Sequence, residues 1–383
     1  SFYKRDMFAQ ANSGAGFDEK AAICSAVGES LERFAAGTYE PVFSQCASWD
    51  SLKKDAVHPE QYLLFSKEQY EEQGFPYQEF NENTLITWIE SENLMKKTTQ
   101  LVPQSFVSLP YRTRIEEAKI SPSISTGLAL GQTKEDAIIN GIFETVERDA
   151  FVNHWLLKLA PNKKVDIRNY VEDFDQICSE RYICSAYDIS LENMFNTALV
   201  TLHDTESNQF MVGAATRFTL SDALKKAFLE AAQGVTYVEM LVKNYKDHRL
   251  IEDFNKIDSF QKHAAFYSIY PEMRKKVGYI LESDYEFTER NGSTFSVDVT
   301  EMSVKEKLSV ALSVLERNGK EVNVVDMTTK ELNHLNVSAV KVGIQGLHQL
   351  HGSHYFRYLN DKRLKQIAQK DAITLNEYPH PFP

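Results

Sequence analysis

Two stretches far apart in the chain carry the same charges on the same kind of framework: Glu29, Glu32 and Arg33 in GESLERF, and Glu144, Glu147 and Arg148 in FETVERDAF. Each lies beside an apolar stripe at helical spacing. In the first, Ile23, Val27, Leu31 and Phe34 recur along a helix that starts at about Asp18, a good N-cap, and stops at Gly37. In the second, the stripe is Ile139, Ile142, Phe143, Val146 and Ala150, and Thr133 with Asp136 forms a capping-box variant. A third helix begins near Ser221, turns Leu224, Ala227, Phe228, Ala231 and Val235 inward, and carries Glu230 and Gln233 three apart. Each of these helices has a face to bury, so the fold is one of helices packed on other elements.

Short β-branched segments bounded by polar turns supply those elements: 195–204, 210–217, 321–327 and 337–344 read as strands. A further helix, VKEKLSVALSVLERN, stops at Asn318-Gly319. Strands and long helices alternate irregularly, which predicts an α/β (α+β) architecture with a mixed sheet. No low-complexity linker divides the chain. One composite domain is expected over residues 1–370, followed by a Pro-rich tail over 371–383 that ends PHPFP.

Composition removes several function classes. With 42 basic against 54 acidic residues the net charge is −12, a poor match to a nucleic-acid backbone. No apolar run reaches the ~18–20 residues of a membrane span, and no signal peptide opens the chain, so a cytoplasmic protein is expected. Cys24, Cys46, Cys178 and Cys184 lack zinc-site spacing and read as reduced thiols. His348, His351 and His354 lie three apart, but Gly346 and Gly352 interrupt any helix there, so ordinary polar histidines are expected.

At 100° per residue, Ser25, Glu29 and Glu32 share one stripe of the first helix; Asp136, Asn140, Glu144 and Glu147 share one band of the second. Taken one helix at a time, these are solvated faces with i,i+4 ion pairs worth ~0.2–0.5 kcal/mol each. If the three helices face one cleft, five carboxylates converge and repel unless cations compensate. Hard oxygen ligands in that number suit Mg²⁺ carrying substrate phosphates. There is no GxxxxGK[ST] loop. SGAG (13–16) and STGLALG (125–131) precede the first two helices and could present backbone N–H groups to an anion, although simple tight turns explain them better. Arg148 and Arg217 are candidate phosphate contacts.

Together these stretches resemble one family. SGAGFDEKAAICSAVGESLERF (13–34), STGLALGQTKEDAIINGIFETVERDAF (125–151), TRFTLSDALKKAFLEAAQG (216–234) and PHPFP (379–383) occur in the order seen in the YcaO superfamily, and within it in the ATP-dependent cyclodehydratases of thiazole- and oxazole-containing ribosomal peptides. The resemblance implies a cleft for ATP and Mg²⁺, with metal-binding carboxylates at Glu29, Glu32, Glu144 and Glu147. It implies nucleotide contacts at Ser25, Gln132, Arg148, Arg217, Glu230 and Gln233. Pro379, Pro381 and Pro383 match the family's Pro-x-Pro-x-Pro end, which would put the Pro383 carboxylate in the active site as a catalytic group.

Two departures stand out. Many members have Gly-Lys-Gly where this chain has Gly14-Ala15-Gly16, so the resemblance implies a lysine contact that is either missing or moved to Lys20. Only 12 residues precede the first motif, so an upstream segment is expected to be missing. The implied reaction is cyclodehydration of Cys, Ser or Thr in a precursor peptide to thiazoline or (methyl)oxazoline, as in bacteriocin and microcin biosynthesis. It would need a leader-binding partner protein (E1-like or ocin-ThiF-like) and, downstream, a flavin dehydrogenase; a homodimer is compatible with it. Thioamide or macrocyclic amidine formation, and a non-catalytic peptide-binding scaffold, are the competing readings.

Overall fold

The computed structural model describes residues 14–62, 64–172, 174–290 and 295–383; Ser13 of the first glycine-rich turn and the twelve residues before it lie outside them. Six helices of eight or more residues are present among the described residues: α1 (Glu19–Thr38), α2 (Lys134–Leu157), α3 (Leu220–Tyr245), α4 (Phe260–Ile269), α5 (Val304–Arg317) and α6 (Asp361–Ala368). The strands are β1 (Gln45–Ser48), β2 (Leu85–Asn93), β3 (Thr98–Pro103), β4 (Leu128–Gly131), β5 (Lys163–Val165), β6 (Tyr182–Asp188), β7 (Asn196–Asp204), β8 (Phe210–Arg217), β9 (Val322–Asp326) and β10 (Ser338–Ile344).

The α+β class is as expected, but the strands form two sheets rather than one, and every named pair is antiparallel. The first sheet runs β1-β2-β9-β10-β4 with β3 beside β2; the second is the meander β5-β6-β7-β8. α2 packs against β10 and β4 of the first sheet and against β8 and β7 of the second. Its first half fills a core with Val322, Val324, Val340 and Val342, and its last turns fill another with Leu199, Phe210, Val212 and Ala214. A helix buried on almost every side holds its polar residues in protein rather than in water.

The second sheet is covered on its other face by α3. Residues of β7 and β8 alternate, with Ala198, Val200, Leu202, Met211 and Ala215 meeting Ala223, Leu224, Ala227, Phe228 and Ala231. Gly213 lets strand and helix touch, because a Cβ there would stand 2.2 Å from the Ala227 carbonyl oxygen.

Two expectations for α1 need correcting. The helix runs through Gly37 to Thr38 and ends at Tyr39, whose backbone is extended (φ −63°, ψ 128°). Its stripe is not uniformly inward: Ile23 and Val27 are 56% and 50% exposed, whereas Ala35 and Ala36 are buried. Only the C-terminal half is anchored in a core, where Leu31 and Tyr39 join Trp88, Ile89 and Leu128.

α6 is tied to α2 by a buried ion pair. Arg363 donates from Nε and Nη2 to Asp149, at 3.1 and 2.6 Å, and its Nη1 reaches Glu192 at 2.6 Å. Asp149 also accepts from the His348 backbone N–H at 2.8 Å. Burial alone would push the Asp149 carboxyl up, but the Arg363 charge and hydrogen bonds outweigh it and hold the pKa below the usual range. Arg363→Met should therefore destabilise the protein by about 3–5 kcal/mol, since it strands a buried carboxylate, and Asp149→Leu in that background should restore much of the loss. Urea unfolding followed by circular dichroism measures both; a single-variant loss below about 1 kcal/mol would show that the pair is dispensable.

Candidate active site

α2 presents Glu144, Glu147 and Arg148 from successive turns, and because the helix is enclosed, Glu147 is only 6% exposed. Arg148 lies between the two carboxylates, 3.7 Å from Glu144 and 3.6 Å from Glu147. Glu144 is fixed from the other side by the Gly127 N–H at 2.8 Å. Gly127 has φ +83° and stands so close to β10 that a Cβ would lie 2.0 Å from the Val342 carbonyl oxygen, so only glycine fits this turn. The STGLALG stretch is thus a turn followed by β4, and its Gly127 N–H serves a carboxylate instead of standing free for an anion. The other glycine turn differs too: Gly14 and Gly16 lie along the side of α1, against Ala21, Ala22 and Ala26, rather than ahead of its N-terminus.

The three helices do converge. Glu32 of α1 feels the charges of Glu144 and Glu29; Glu147 feels those of Glu230 of α3, Glu144 and Arg217 at the end of β8. The consequence is strong. Burial, reinforced by Glu144, lifts the Glu32 carboxyl to about 8. Burial, opposed by Arg148 but reinforced by Glu230 and Glu144, lifts Glu147 to about 8 as well. Glu144 is raised mainly by burial, against the pull of Arg148, the Gly127 N–H and Lys341.

Lys341 is the residue that sequence reasoning missed. It is fully enclosed on β10, donates to the Ile124 carbonyl, and is depressed to about 8 by burial, against the raising influence of Glu144 and Glu32. Its signal was available: a lysine in the middle of the apolar strand VSAVKVGI is either exposed on a polar face or held by buried acids. In this structure Lys341, not Lys20, is the lysine that meets the carboxylates; Lys20 is exposed in the first turn of α1.

The remaining expected positions differ in how near they come. Ser25 is half-buried one turn before Glu29, whose partner Arg33 is a surface ion pair at 3.4 Å. Glu230 is paired with Lys226 at 3.2 Å, and Gln233 follows one turn later, half-buried. Gln132 is exposed in the turn before α2. It lies ahead of the helix itself, twelve residues before Glu144.

The C-terminal residues do reach this place. His380 and Phe382 are buried, and the Phe382 ring lies 4.3 Å from the Arg148 guanidinium carbon. Pro383 is exposed. The histidines near the tail are enclosed, contrary to expectation: His348, His351 and His354 are each at most 5% exposed. The ring nitrogens of His351, His263 and His380 come within 4.8 Å of one another. A common metal does not fit them. His263 and His380 stack with centroids 3.7 Å apart at 3°, so their in-plane lone pairs cannot point at one ion, and both His380 nitrogens already have partners.

The four cysteines are free, and no helix among the described residues is long and apolar enough to cross a membrane. The family model described as "YcaO cyclodehydratase, ATP-ad Mg2+-binding" matches residues 13–348. A solved heterocyclase in complex with substrate and cofactor is 20% identical, with a TM-score of 0.77 over 100% of this chain and 51% of its own. The YcaO protein of Methanopyrus kandleri, bound with AMPPCP and Mg²⁺, is 18% identical, with a TM-score of 0.59 over 96% of this chain and 82% of its own. The Escherichia coli microcin synthetase McbBCD complex with pro-MccB17 bound gives 17% and 0.60 over 86% of this chain and 80% of that chain. An uncharacterised Haemophilus influenzae protein is 21% identical over 91% of this chain and 59% of its own length. The chain thus spans about half of some of the proteins it matches.

The donor set fits Mg²⁺: carboxylates raised mainly by withdrawal from water, and further by one another, are hard oxygen ligands short of a cation. The sign of the pH effect follows. Glu32 and Glu147 have folded pKa values near 8 against 4.5, so the folded protein holds protons that the unfolded chain has lost. Their contribution to stability is complete below pH 4.5 and lost as pH rises to about 8. Adding Mg²⁺ and nucleotide at pH 7 should displace those protons, giving a release of one to ~two per site, shrinking above pH 8. Calorimetry in buffers of different ionisation enthalpy measures this, and Lys341→Met should enlarge the release; no buffer dependence at pH 7 would contradict the charge balance described.

Proposed function

The chain belongs to the YcaO family, and from that premise we propose that it is an ATP-dependent cyclodehydratase converting Cys, Ser or Thr of a ribosomal precursor peptide to thiazoline or (methyl)oxazoline. One observation carries the reading: acids of three helices act on one another in one cluster, and Arg148, which faces Glu144 and Glu147 within it, also touches the C-terminal tail through Phe382. Charge that would bind Mg²⁺ and the chain terminus that would handle a proton are therefore neighbours.

In this reading Glu29, Glu32, Glu144 and Glu147 hold Mg²⁺, while Ser25, Arg148, Arg217, Glu230 and Gln233 line the nucleotide. ATP, when bound with Mg²⁺, supplies the phosphoryl group that turns the amide oxygen into a leaving group. The substrate thiol or hydroxyl adds to the preceding amide carbon and closes the ring; the oxygen left on that carbon takes the γ-phosphoryl group and departs as phosphate as the nitrogen gives up its proton and the C=N bond forms, so that the peptide is lighter by the elements of one water and ATP has become ADP and phosphate. Arg148 orients the carboxylates on either side and offers a cation to developing negative charge. The Pro383 carboxylate, exposed to an arriving peptide, accepts a proton from the nucleophile or from the amide N–H. Residues 371–383 then act as part of the site rather than as an appendage to the domain before them. In this reading a leader-binding partner delivers the peptide.

Mass spectrometry of precursor peptide with the enzyme, partner and ATP decides the product. Each azoline removes about 18 Da and each thioamide adds about 16 Da, by the atoms lost and gained in the condensation. Glu147→Gln should lower Mg·ATP turnover by at least ~100-fold. Removal of Pro379–Pro383 should abolish ring formation while ATP still binds; a truncated enzyme that cyclises at the normal rate would refute the tail's part.

A further inference from the structure

Burying a chain end without a sheet partner leaves its backbone donors and acceptors in need of partners. The tail solves this in two ways. Pro379, Pro381 and Pro383 have no N–H to satisfy, and the Tyr378 and Phe382 N–H groups are met locally, by Asn376 Oδ1 and by His380 Nδ1, each at 3.2 Å. The carbonyls are met by other parts of the fold. Three in succession, those of Tyr378, Pro379 and His380, accept from Trp155 Nε1 at 3.0 Å, the Tyr267 hydroxyl at 2.7 Å and His263 Nδ1 at 2.9 Å.

Trp155 belongs to α2, the helix of Glu144 and Glu147. His263 and Tyr267 are four apart on α4 and so share one face. His263 does a second job, stacking flat on the His380 ring, while His380 Nε2 donates to the His351 carbonyl at 2.9 Å. These bonds settle the tautomers: His263 carries its proton on Nδ1, His380 on Nε2. Burial and neighbouring histidines hold His263 well below its ordinary pKa, so it stays a neutral donor at working pH.

We propose that Tyr267 and His263 are positioning residues: they grip consecutive tail carbonyls and thereby set where Phe382 meets Arg148 and where the Pro383 carboxylate is delivered. The role rests on the functional reading above, in which that carboxylate acts on the substrate. The grip is on backbone atoms, so it recognises an extended segment with proline at alternate positions more than any side chain, His380 excepted. Such a segment presents its carbonyls at regular intervals and brings few donors that need partners.

The test uses the full chain and two variants. Tyr267→Phe keeps the ring and removes only the hydroxyl; His263→Ala removes both donor and stacking partner. Amide hydrogen exchange of the C-terminal peptide, read by mass spectrometry, should speed up about 5- to 10-fold in Tyr267→Phe, the size of one net hydrogen bond, and more in His263→Ala. Exchange within α2 should stay unchanged in Tyr267→Phe, which separates release of the tail from general loosening. The kcat for ring formation should fall with it, with KM for ATP within about twofold of the parent. Tail exchange at the parental rate in Tyr267→Phe would overturn the proposal. Faster tail exchange with an unchanged kcat would leave the grip standing and remove the carboxylate's catalytic part.

Discussion

The buried pair between Arg363 and Asp149 is the constraint on which the site's geometry depends. Asp149 follows directly after Arg148, so whatever fixes Asp149 fixes the rotation of α2 about its own axis at the turn that carries Glu147 and Arg148. The bidentate contact at 2.6 and 3.1 Å does that, and the His348 N–H and Asn153 side chain use the remaining capacity of the carboxylate. A buried pair of this kind adds little net stability over well-packed apolar residues, and its worth lies in the geometry it imposes.

With α2 held, repulsion among the acids becomes a design property rather than a defect. Two carboxyls near pKa 8 and a lysine near 8 mean that the cation-free site rests with protons shared among groups that would otherwise all be charged. The cost is borne by the cores on both sides of α2, where Ile142, Val146, Phe151 and Trp155 are almost wholly buried. A polar cluster that a surface helix would leave in water is thereby partly withdrawn from it, Glu147 most of all, and electrostatic interactions there are stronger than in solvent.

How much of this could be read from the sequence divides along a physical line. Four of the six longer helices and four of the strands were legible, because periodicity and caps are local; the N-caps Asp18, Thr133 and the stop at Asn318-Gly319 are where they were expected, whereas α4 and α6 were not foreseen. The acidic bands were legible as bands, but whether they met was not, since that depends on how α1 and α3 dock. Lys341 and the pair His263–Tyr267 escaped notice because each gains its meaning from residues more than a hundred positions away. The same applies to Ile23 and Val27, where a correct helical stripe gave no information about whether anything covers it.

The recurring Glu-x-x-Glu-Arg shows the point most sharply, because one motif has two outcomes. On α1, the Arg33 side chain is 54% exposed and its contact with Glu29 is a solvated i,i+4 pair, worth a few tenths of a kcal/mol. On α2 the same spacing is enclosed, and Arg148, 18% exposed at the side chain, faces two carboxylates and an aromatic ring at once. Its position makes it the joint between two otherwise separate devices, the acids on one side and the clamped tail on the other. A cation bound by the acids would loosen their hold on Arg148, leaving the guanidinium to the Phe382 ring and to incoming negative charge.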